Sequence, residues 1–128
     1  MRGAASHRTQ RVGQHLARHL SRLIQYELND PRVGLITITE VKVTLDLAYA
    51  KVYFTLLEDK QHNLADCTQA LNKAAGYLRR LLAQAVEMRS IPALQFIYDE
   101  SFERHQRISS LVSEALSKHP PAQDDNPL

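Results

Sequence analysis

Apolar residues at intervals of three or four predict a helix near the start of the chain. Over residues 8–28 they stand at Val12, Leu16, Leu20, Leu23, Ile24 and Leu28. This spacing places them along one side of an α-helix. Asn29 can adopt the left-handed conformation that is common just after a helix, and Pro31 lacks the N–H that a further turn needs. We therefore expect the helix to end in the segment NDPRVG.

The period of the pattern then changes from 3.6 to 2, which predicts two β-strands. Ile36 and Ile38 alternate with threonines, whereas the next apolar residues have the opposite phase: Val41, Val43 and Leu45. We therefore expect a β-bulge or a register change near Glu40. After a turn near Asp46, a second alternating run has an apolar side made of Ala48, Ala50, Val52, Phe54 and Leu56. So short a connection predicts an antiparallel hairpin.

The longest periodic pattern covers the 26 residues from Leu64 to Arg89. Two heptad series form one continuous apolar stripe: Leu64, Leu71, Leu78 and Ala85, and Cys67, Ala74, Leu81 and Met88. The stripe crosses Ala74-Ala75-Gly76 without a change of phase, whereas a loop of several residues would reset the phase. A straight helix of this length spans about 39 Å, more than the roughly 34 Å across a domain of this size. We therefore predict one bent helix, or two helices with a minimal kink.

Gly76 stands at the expected bend, beside Lys73, Arg79 and Arg80. If the bend needs a positive φ or a tight backbone contact at the glycine, as we expect, alanine there should destabilise the protein. A break in a helix also exposes backbone N–H groups, and glycine lets a phosphate approach them. From these residues alone, close packing of Ala74 and Gly76 with a solvated basic face is the favoured interpretation. Contact with a phosphate is the alternative.

The remaining segments complete an α+β pattern. IPALQFIYD, residues 91–99, predicts a short third strand, since Pro92 is tolerated near a strand's start. Ser101 is the expected cap of a last helix with apolar residues at Ile108, Leu111, Val112 and Leu116. The predicted order is helix, strand, strand, long helix, strand and helix. This order favours a sheet with helices packed on one face. Residues 118–128 hold three prolines and no periodicity, so we expect a disordered tail.

Composition indicates one ordinary globular domain. The 128 residues are 44% hydrophobic and 23% charged. No apolar run approaches the ~20 residues of a membrane-spanning helix, and the basic N-terminus lacks the apolar segment of a signal peptide. The single cysteine, Cys67, cannot build a disulfide framework, and on the apolar stripe we expect it to be a buried thiol. We expect a cytoplasmic protein with one domain over residues 1–117, in which residues 1–7 are flexible.

Positive charge is concentrated at the N-terminus although the net charge is only +2. Five arginines precede the first acidic residue, Glu27: Arg2, Arg8, Arg11, Arg18 and Arg22. At 100° per residue, Arg11, Arg18 and Arg22 fall within about 40° of one another, away from the apolar stripe. This part of the first helix is therefore a candidate surface for a polyanion.

Residues that could support catalysis or metal binding have simpler interpretations. His15 and His19 are four apart, a spacing that can share a metal ion, but no third ligand follows nearby, so we expect solvated or cationic histidines. Asp99 and Glu100 end a strand just before a helix, where we expect a capping or dipole role. No Walker loop, dinucleotide fingerprint or hydrolase elbow occurs.

Two tyrosines share the polar side of the second strand. Tyr49 and Tyr53 flank Lys51 on the side opposite the apolar residues. Exposed rings in this position could stack on bases. Covering the sheet beneath a helix is the commoner fate of such rings and the one we expect.

The succession of motifs resembles the ribosome-binding factor A family. Helix–strand–strand–helix–kink–helix–strand is the order of type II KH domains, in which a G-x-x-G loop clamps nucleic-acid backbone. Here Ala74-Ala75-Gly76 forms A-x-G instead. The matching stretches lie within residues 8–116: NDPRVGLITITEVKVT, DLAYAKVYFT, LNKAAGYLRRLL and MRSIPALQFIYDES. FERHQRIS fits less closely. The resemblance implies a type II KH-like fold with a three-stranded sheet and helices packed on one face.

The resemblance implies a non-enzymatic assembly factor without a cofactor. Such a factor binds the immature small (30S) ribosomal subunit and its rRNA, assists late maturation and processing of the rRNA, and supports growth in the cold. We expect a monomer that does not associate with membranes. The expected RNA-binding residues are Arg8, Arg11, Arg18, Arg22, Lys73, Ala74, Ala75, Gly76, Arg79 and Arg80. The alternatives are another KH-type RNA-binding module, such as a ribosomal protein or RNA regulator, and a small α+β enzyme or metal-dependent module.

Overall fold

The computed structural model describes residues 3–57, 60–101, 108–109, 111–113 and 115, in two units, Met1–Tyr98 and Asp99–Leu128. The described part of the first unit consists of α1 (Gly3–Tyr26), β1 (Leu35–Val43), β2 (Tyr49–Leu57), α2 (Leu64–Lys73), α3 (Ala75–Ala85) and β3 (Ala93–Tyr98). The sheet has the order β1-β2-β3, with β1 antiparallel and β3 parallel to β2. The predicted α+β order of elements is confirmed.

One face of the sheet carries the hydrophobic core. Ala50, Val52 and Phe54 alternate along β2 and are buried, as is Phe96 of β3. They pack with buried residues of all three helices: Leu16, Leu20, Ile24, Cys67, Leu71, Leu78 and Leu82. Because successive strand residues point to opposite faces, α1, α2 and α3 lie on one face of the sheet, and no described element of the first unit covers the other. The predicted arrangement of helices on one face is confirmed.

The irregularity predicted near Glu40 is a bulge in β1. Ile38 pairs with Phe54 and Glu40 pairs with Tyr53, so β1 contains one extra residue, Thr39, between two consecutive pairs. The extra residue reverses which side chains face the helices. Ile38 is half-buried before the bulge, and Val41 is buried after it. The change of phase in the sequence therefore preserves a single apolar face.

The α1 helix begins at Gly3 and ends at Tyr26, so it begins earlier than the apolar pattern predicts, and the expectation that it ends within NDPRVG is wrong. The flexibility of residues 1–7 stays a prediction. The expectation of a left-handed Asn29 is wrong, because Leu47 is the non-glycine residue of the described chain with positive φ. After the helix, the Asp30 carboxylate accepts hydrogen bonds from the backbone N–H and the guanidinium of Arg32. These bonds close the turn without a left-handed residue.

A glycine allows α1 to approach the sheet closely. Gly13 is buried on the side of α1 that faces β1. A Cβ atom added there would collide with the carbonyl oxygen of Val41, which is backbone and cannot swing aside. The helix axis can therefore lie nearer to the strand than any other residue at this position would allow.

The long periodic segment forms two helices joined by one residue. Ala74 ends α2 and begins α3, with φ −85° and ψ 0°. Its N–H donates to the carbonyl of Ala70 at 3.0 Å, and its own carbonyl accepts from Leu78 N–H at 2.9 Å. This confirms two helices with a minimal kink. The predicted C-terminal end was wrong: α3 ends at Ala85, which is exposed, instead of at Arg89.

The second unit begins with a helix start at Glu100. The Asp99 carboxylate accepts hydrogen bonds from the Ser101 N–H at 3.0 Å and from its hydroxyl at 2.6 Å. Asp99 is therefore the cap and the assignment of that role to Ser101 was wrong, because the helix begins one residue earlier. The described residues among 108–115 are helical, and Ile108, Leu111 and Val112 are exposed. Leu116, the predicted boundary after residue 117 and the tail 118–128 lie outside the described residues.

Candidate nucleic-acid interface

The polar side of α1 is a continuous basic surface. The apolar side of this helix enters the core, so the arginines that alternate with it face outward and are all exposed: Arg8, Arg11, Arg18 and Arg22. At 100° per residue, the four lie within about 80° of one another. None of them forms an ion pair with a described carboxylate. We call these four residues the arginine face. Their positive charge is available to a polyanion.

The two histidines of α1 lie beside the arginine face. The rings of His15 and His19 meet edge to face, with centroids 4.8 Å apart. Partial burial is the main cause that lowers the pKa of His19, and the positive charges of His15, Arg22 and Arg18 lower it further. His19 is therefore mostly neutral at pH 7 and adds little charge to the arginine face.

Metal and thiol chemistry find little support in the described residues. No three His, Cys, Asp or Glu side chains among them come together as metal ligands. Cys67 is buried, as predicted, and burial raises the pKa of its thiol, so it stays protonated. No helix in the described part of the chain has the length and apolar character to cross a bilayer.

The break between α2 and α3 forms a second basic region. No side chain caps the N-terminus of α3, and its first turn contains no acidic residue. Backbone N–H groups at the break donate to the carbonyls of Ala70, Leu71 and Asn72 in the last turn of α2, so the positive charge here comes mainly from side chains. Lys73, Gly76 and Arg80 are exposed, and Ala74 and Ala75 are half-buried. The side chains of Lys73 and Arg80 can therefore approach a phosphate here.

The charges around the break are unequal. The Arg80 guanidinium lies 5.8 Å from the centre of the Tyr77 ring, in a cation–π arrangement. Lys73 lies near the loop after α1. The pKa of Asp30 is lowered to about 2, mainly by its hydrogen bonds from Arg32 and to a smaller extent by the charge of Lys73. Lys73 is thus close enough to the Asp30 carboxylate to interact with it, whereas Arg80 contacts an aromatic ring.

Side chains from both sides of the break bind β3 and the segment before it. Asn72, in the last turn of α2, donates from Nδ2 to the carbonyl of Phe96 at 3.0 Å and accepts the Phe96 N–H at Oδ1, 2.8 Å away. Arg79, in α3, donates from Nε to the carbonyl of Ile91 at 2.9 Å. The first two bonds hold α2 against the edge strand β3, and the third holds α3 against the segment that leads into this strand.

The sequence pattern did not identify Asn72, and it predicted contact with RNA as the only role of Arg79. A polar residue directly after the buried Leu71, one turn before the break, was the available signal for Asn72. Arg79 was expected to contact RNA, but its Nε is already bound to the protein backbone. Only the terminal nitrogens of its guanidinium are left for an external ligand. Its contact with RNA stays a prediction for those nitrogens.

Gly76 does not require the conformational freedom of glycine. No described glycine has positive φ, and an added Cβ at Gly76 meets no atom within 4 Å. The expectation that the bend needs a positive φ or a tight backbone contact at Gly76 is therefore wrong. Because alanine favours a helix over glycine, we now expect Gly76→Ala to raise the free energy of unfolding by about 0.4–1 kcal/mol. Urea denaturation measures this change, and a lower midpoint with an unchanged slope would contradict it.

The tyrosines of β2 lie on the uncovered face of the sheet. Tyr49 is 63% exposed, and Tyr53 is half-buried with the Lys42 ammonium 5.6 Å from its ring centre. No described helix of the first unit packs over them. The expectation that they cover the sheet beneath a helix was wrong, because the helices lie on the other face.

Most of the chain matches proteins described as ribosome-binding factor A. The family model of that description matches residues 8–112. Ribosome-binding factor A of Nitrosococcus oceani is 50% identical over 122 residues, which cover 93% of each chain. The crystal structure of ribosome-binding factor A from Thermus thermophilus has a TM-score of 0.63 and 30% identity, and the match covers 70% of this chain and 93% of that chain.

A second Thermus thermophilus structure shows such a protein in a complex. It is a homology model of ribosome-binding factor A fitted into the cryo-EM map of a 30S–RbfA complex. It has a TM-score of 0.58 and 31% identity to this chain, and the match covers 69% of this chain and 91% of that chain. The fold described above is the KH-like fold of these structures.

Proposed function

The chain belongs to the ribosome-binding factor A family, and on that premise we propose that it binds the small (30S) ribosomal subunit by contacts with rRNA phosphates. The arginine face carries this proposal. Its four guanidinium groups are exposed, lie on one side of a single helix and have no ion-pair partner among the described carboxylates. Guanidinium groups bind phosphate in a bidentate manner and stay charged at any physiological pH.

The break between α2 and α3 is the second proposed contact. The exposed side chains of Lys73 and Arg80 would bind one phosphate of the rRNA backbone. The open space around Gly76 leaves room for that approach, and Ala74 and Ala75 would contribute only their backbone. Arg79 would add its terminal nitrogens while its Nε stays bonded to the Ile91 carbonyl.

In this proposal the protein is a cytoplasmic, non-enzymatic factor that acts as a monomer. It assists late maturation and processing of the small-subunit rRNA and supports growth at low temperature. Sedimentation of a cell extract tests the role: the protein should be found with free small subunits and their precursors. An equal abundance in the polysome fractions would instead support a ribosomal protein. A constitutive small-subunit protein followed in the same gradient serves as the marker for translating ribosomes.

The arginine face should contribute to binding of the small subunit through its positive charge. Changing Arg11, Arg18 and Arg22 to Gln removes three phosphate contacts. The slope of log K against log salt should therefore fall by about two to three units, since each contact contributes roughly 0.7–0.9. Binding of the purified protein to immature small subunits at several salt concentrations measures the slope.

The thermal midpoint of this triple variant should be unchanged, because the three side chains are exposed. Lys60→Gln, which removes a positive charge from the loop before α2, is the control and should leave the slope unaltered. An unaltered slope in the triple variant would place the interface elsewhere on the protein.

A further inference from the structure

The uncovered face of the sheet is a second surface with the chemistry of nucleic-acid recognition. It holds a shallow depression of about 720 Å³. The polar side chains that line it come from all three strands and from the residue that follows β1: Lys42, Thr44, Tyr49, Lys51, Tyr53 and Gln95. We call this surface the open sheet face. We propose that it binds single-stranded RNA, with Tyr49 stacked on a base and the two lysines on phosphates.

The charges on the open sheet face favour an anionic occupant. Lys42 and Lys51 lie directly opposite each other on β1 and β2. Like charges in this position destabilise a sheet. Neither lysine forms an ion pair with a described carboxylate, and the acidic residue on this face, Glu40, lies opposite Tyr53. A phosphodiester chain lying across the two strands would relieve the repulsion between the lysines.

The ring of Tyr49 favours a nucleic acid over an acidic peptide. Tyr49 is 63% exposed, and the equivalent ring of Tyr53 has the Lys42 ammonium 5.6 Å from its centre. Tyr49 is therefore the ring available for stacking. Four residues of strand separate the two rings by about 13 Å, with Lys51 between them. Lys51 is therefore two residues from Tyr49, where its ammonium can bind the phosphate next to a base stacked on that ring.

Base-edge contacts are available next to the same lysine. Gln95 of β3 pairs with Lys51 of β2 and is exposed, so its amide can both donate to and accept from a base edge. Only an unpaired strand can present a base to a flat ring and its edge to an adjacent amide. The arginine face lies on the helical layer at the other side of the sheet, so the two surfaces are separate contacts.

Tyrosine fluorescence of the full chain tests this assignment, because the chain has five tyrosines and no tryptophan. A short oligouridylate should quench the emission on binding. Tyr49→Ala should weaken binding, measured by anisotropy of labelled RNA, by at least about fivefold. Tyr49→Phe should retain the affinity and lose most of the quenching, since phenylalanine stacks but does not emit with tyrosine. Leu45→Ala, which removes an apolar side chain that is 71% exposed in the turn between β1 and β2, is the control and should bind normally.

The lysines have their own test. Lys42→Gln with Lys51→Gln should lower the salt slope by about 0.7 for each lost phosphate contact. This variant should be at least as stable as the parent, because it removes a repulsive pair, so weaker binding cannot be ascribed to unfolding. Competition by polyphosphate as strong as that by RNA, or unchanged RNA affinity in Tyr49→Ala, would overturn the assignment. Sedimentation with small subunits is independent of these outcomes, so the proposed function stands or fails separately.

Discussion

Gly13→Ala should destabilise the protein by about 3 kcal/mol, the upper part of the range for overpacked sites. The added methyl group meets the carbonyl oxygen of Val41. Backbone on both sides prevents either atom from moving aside without a shift of α1 or β1. Alanine gains about 1 kcal/mol of helix propensity over glycine, so the observed loss is what remains after this gain. On a total stability of roughly 5–15 kcal/mol, such a loss is large.

Urea denaturation of Gly13→Ala and Gly76→Ala together provides the matched comparison. Both changes add one methyl group to a glycine within a helix. The space around the two glycines differs, since nothing lies within 4 Å of a Cβ at Gly76. The midpoints should therefore move in opposite directions at a common slope. A neutral Gly13→Ala would mean that α1 and β1 can separate at little cost, and the close approach would then have no role in stability.

Asn72→Ala should cost about 2–3 kcal/mol and loosen the break. The substitution leaves the N–H and the carbonyl of Phe96 without their partners at the edge of the sheet. Each unsatisfied backbone group costs roughly 1–3 kcal/mol when it is shielded from water, and partial exposure at this edge reduces the sum. Because Asn72 holds the end of α2 against β3, the angle at Ala74 should also vary more widely.

Two measurements separate loss of these bonds from a general loss of stability. Amide exchange at Phe96 should accelerate more than exchange at Val52, which lies within the core of β2. Gln69→Ala removes another amide from the exposed side of the same helix and should change stability by less than about 0.5 kcal/mol. An Asn72→Ala variant that resembles Gln69→Ala in both measurements would show that Arg79 alone is enough to position the helices.

Features that depend on near neighbours in the chain were predicted from the sequence. The bulge in β1 follows from a reversal of alternation at Glu40, since a strand has a period of 2. The break at Ala74 follows from an apolar stripe too long for the domain. The arginine face follows from the angle between successive helical residues. In each case the sequence pattern spans only a few turns or residues, so the regular geometry of a helix or strand is enough to predict the structure from it.

Ends of elements were predicted less well, for a related reason. The apolar pattern continues to Met88, which is half-buried although it lies after the end of α3. An apolar residue in a loop can cover the core as well as one in a helix, so periodicity alone does not locate the last turn. The same holds for the cap of the last helix, where Asp99 and Ser101 are both good capping residues.

By itself, the sequence determined the order of helices and strands, the apolar face of each, and the side of α1 on which the arginines lie. Only the tertiary structure decided which residues meet across elements. We expect Gly13 to be important for stability because the Val41 carbonyl lies beside it, whereas no atom lies close to Gly76. We expect Asn72 to be important because it bonds the backbone of Phe96 at the edge of the sheet. Tyr49 is exposed because α1, α2 and α3 all pack on the other face of the sheet. Periodicity specifies which side of an element is buried, but partners distant in sequence are specified only when those sides pack together.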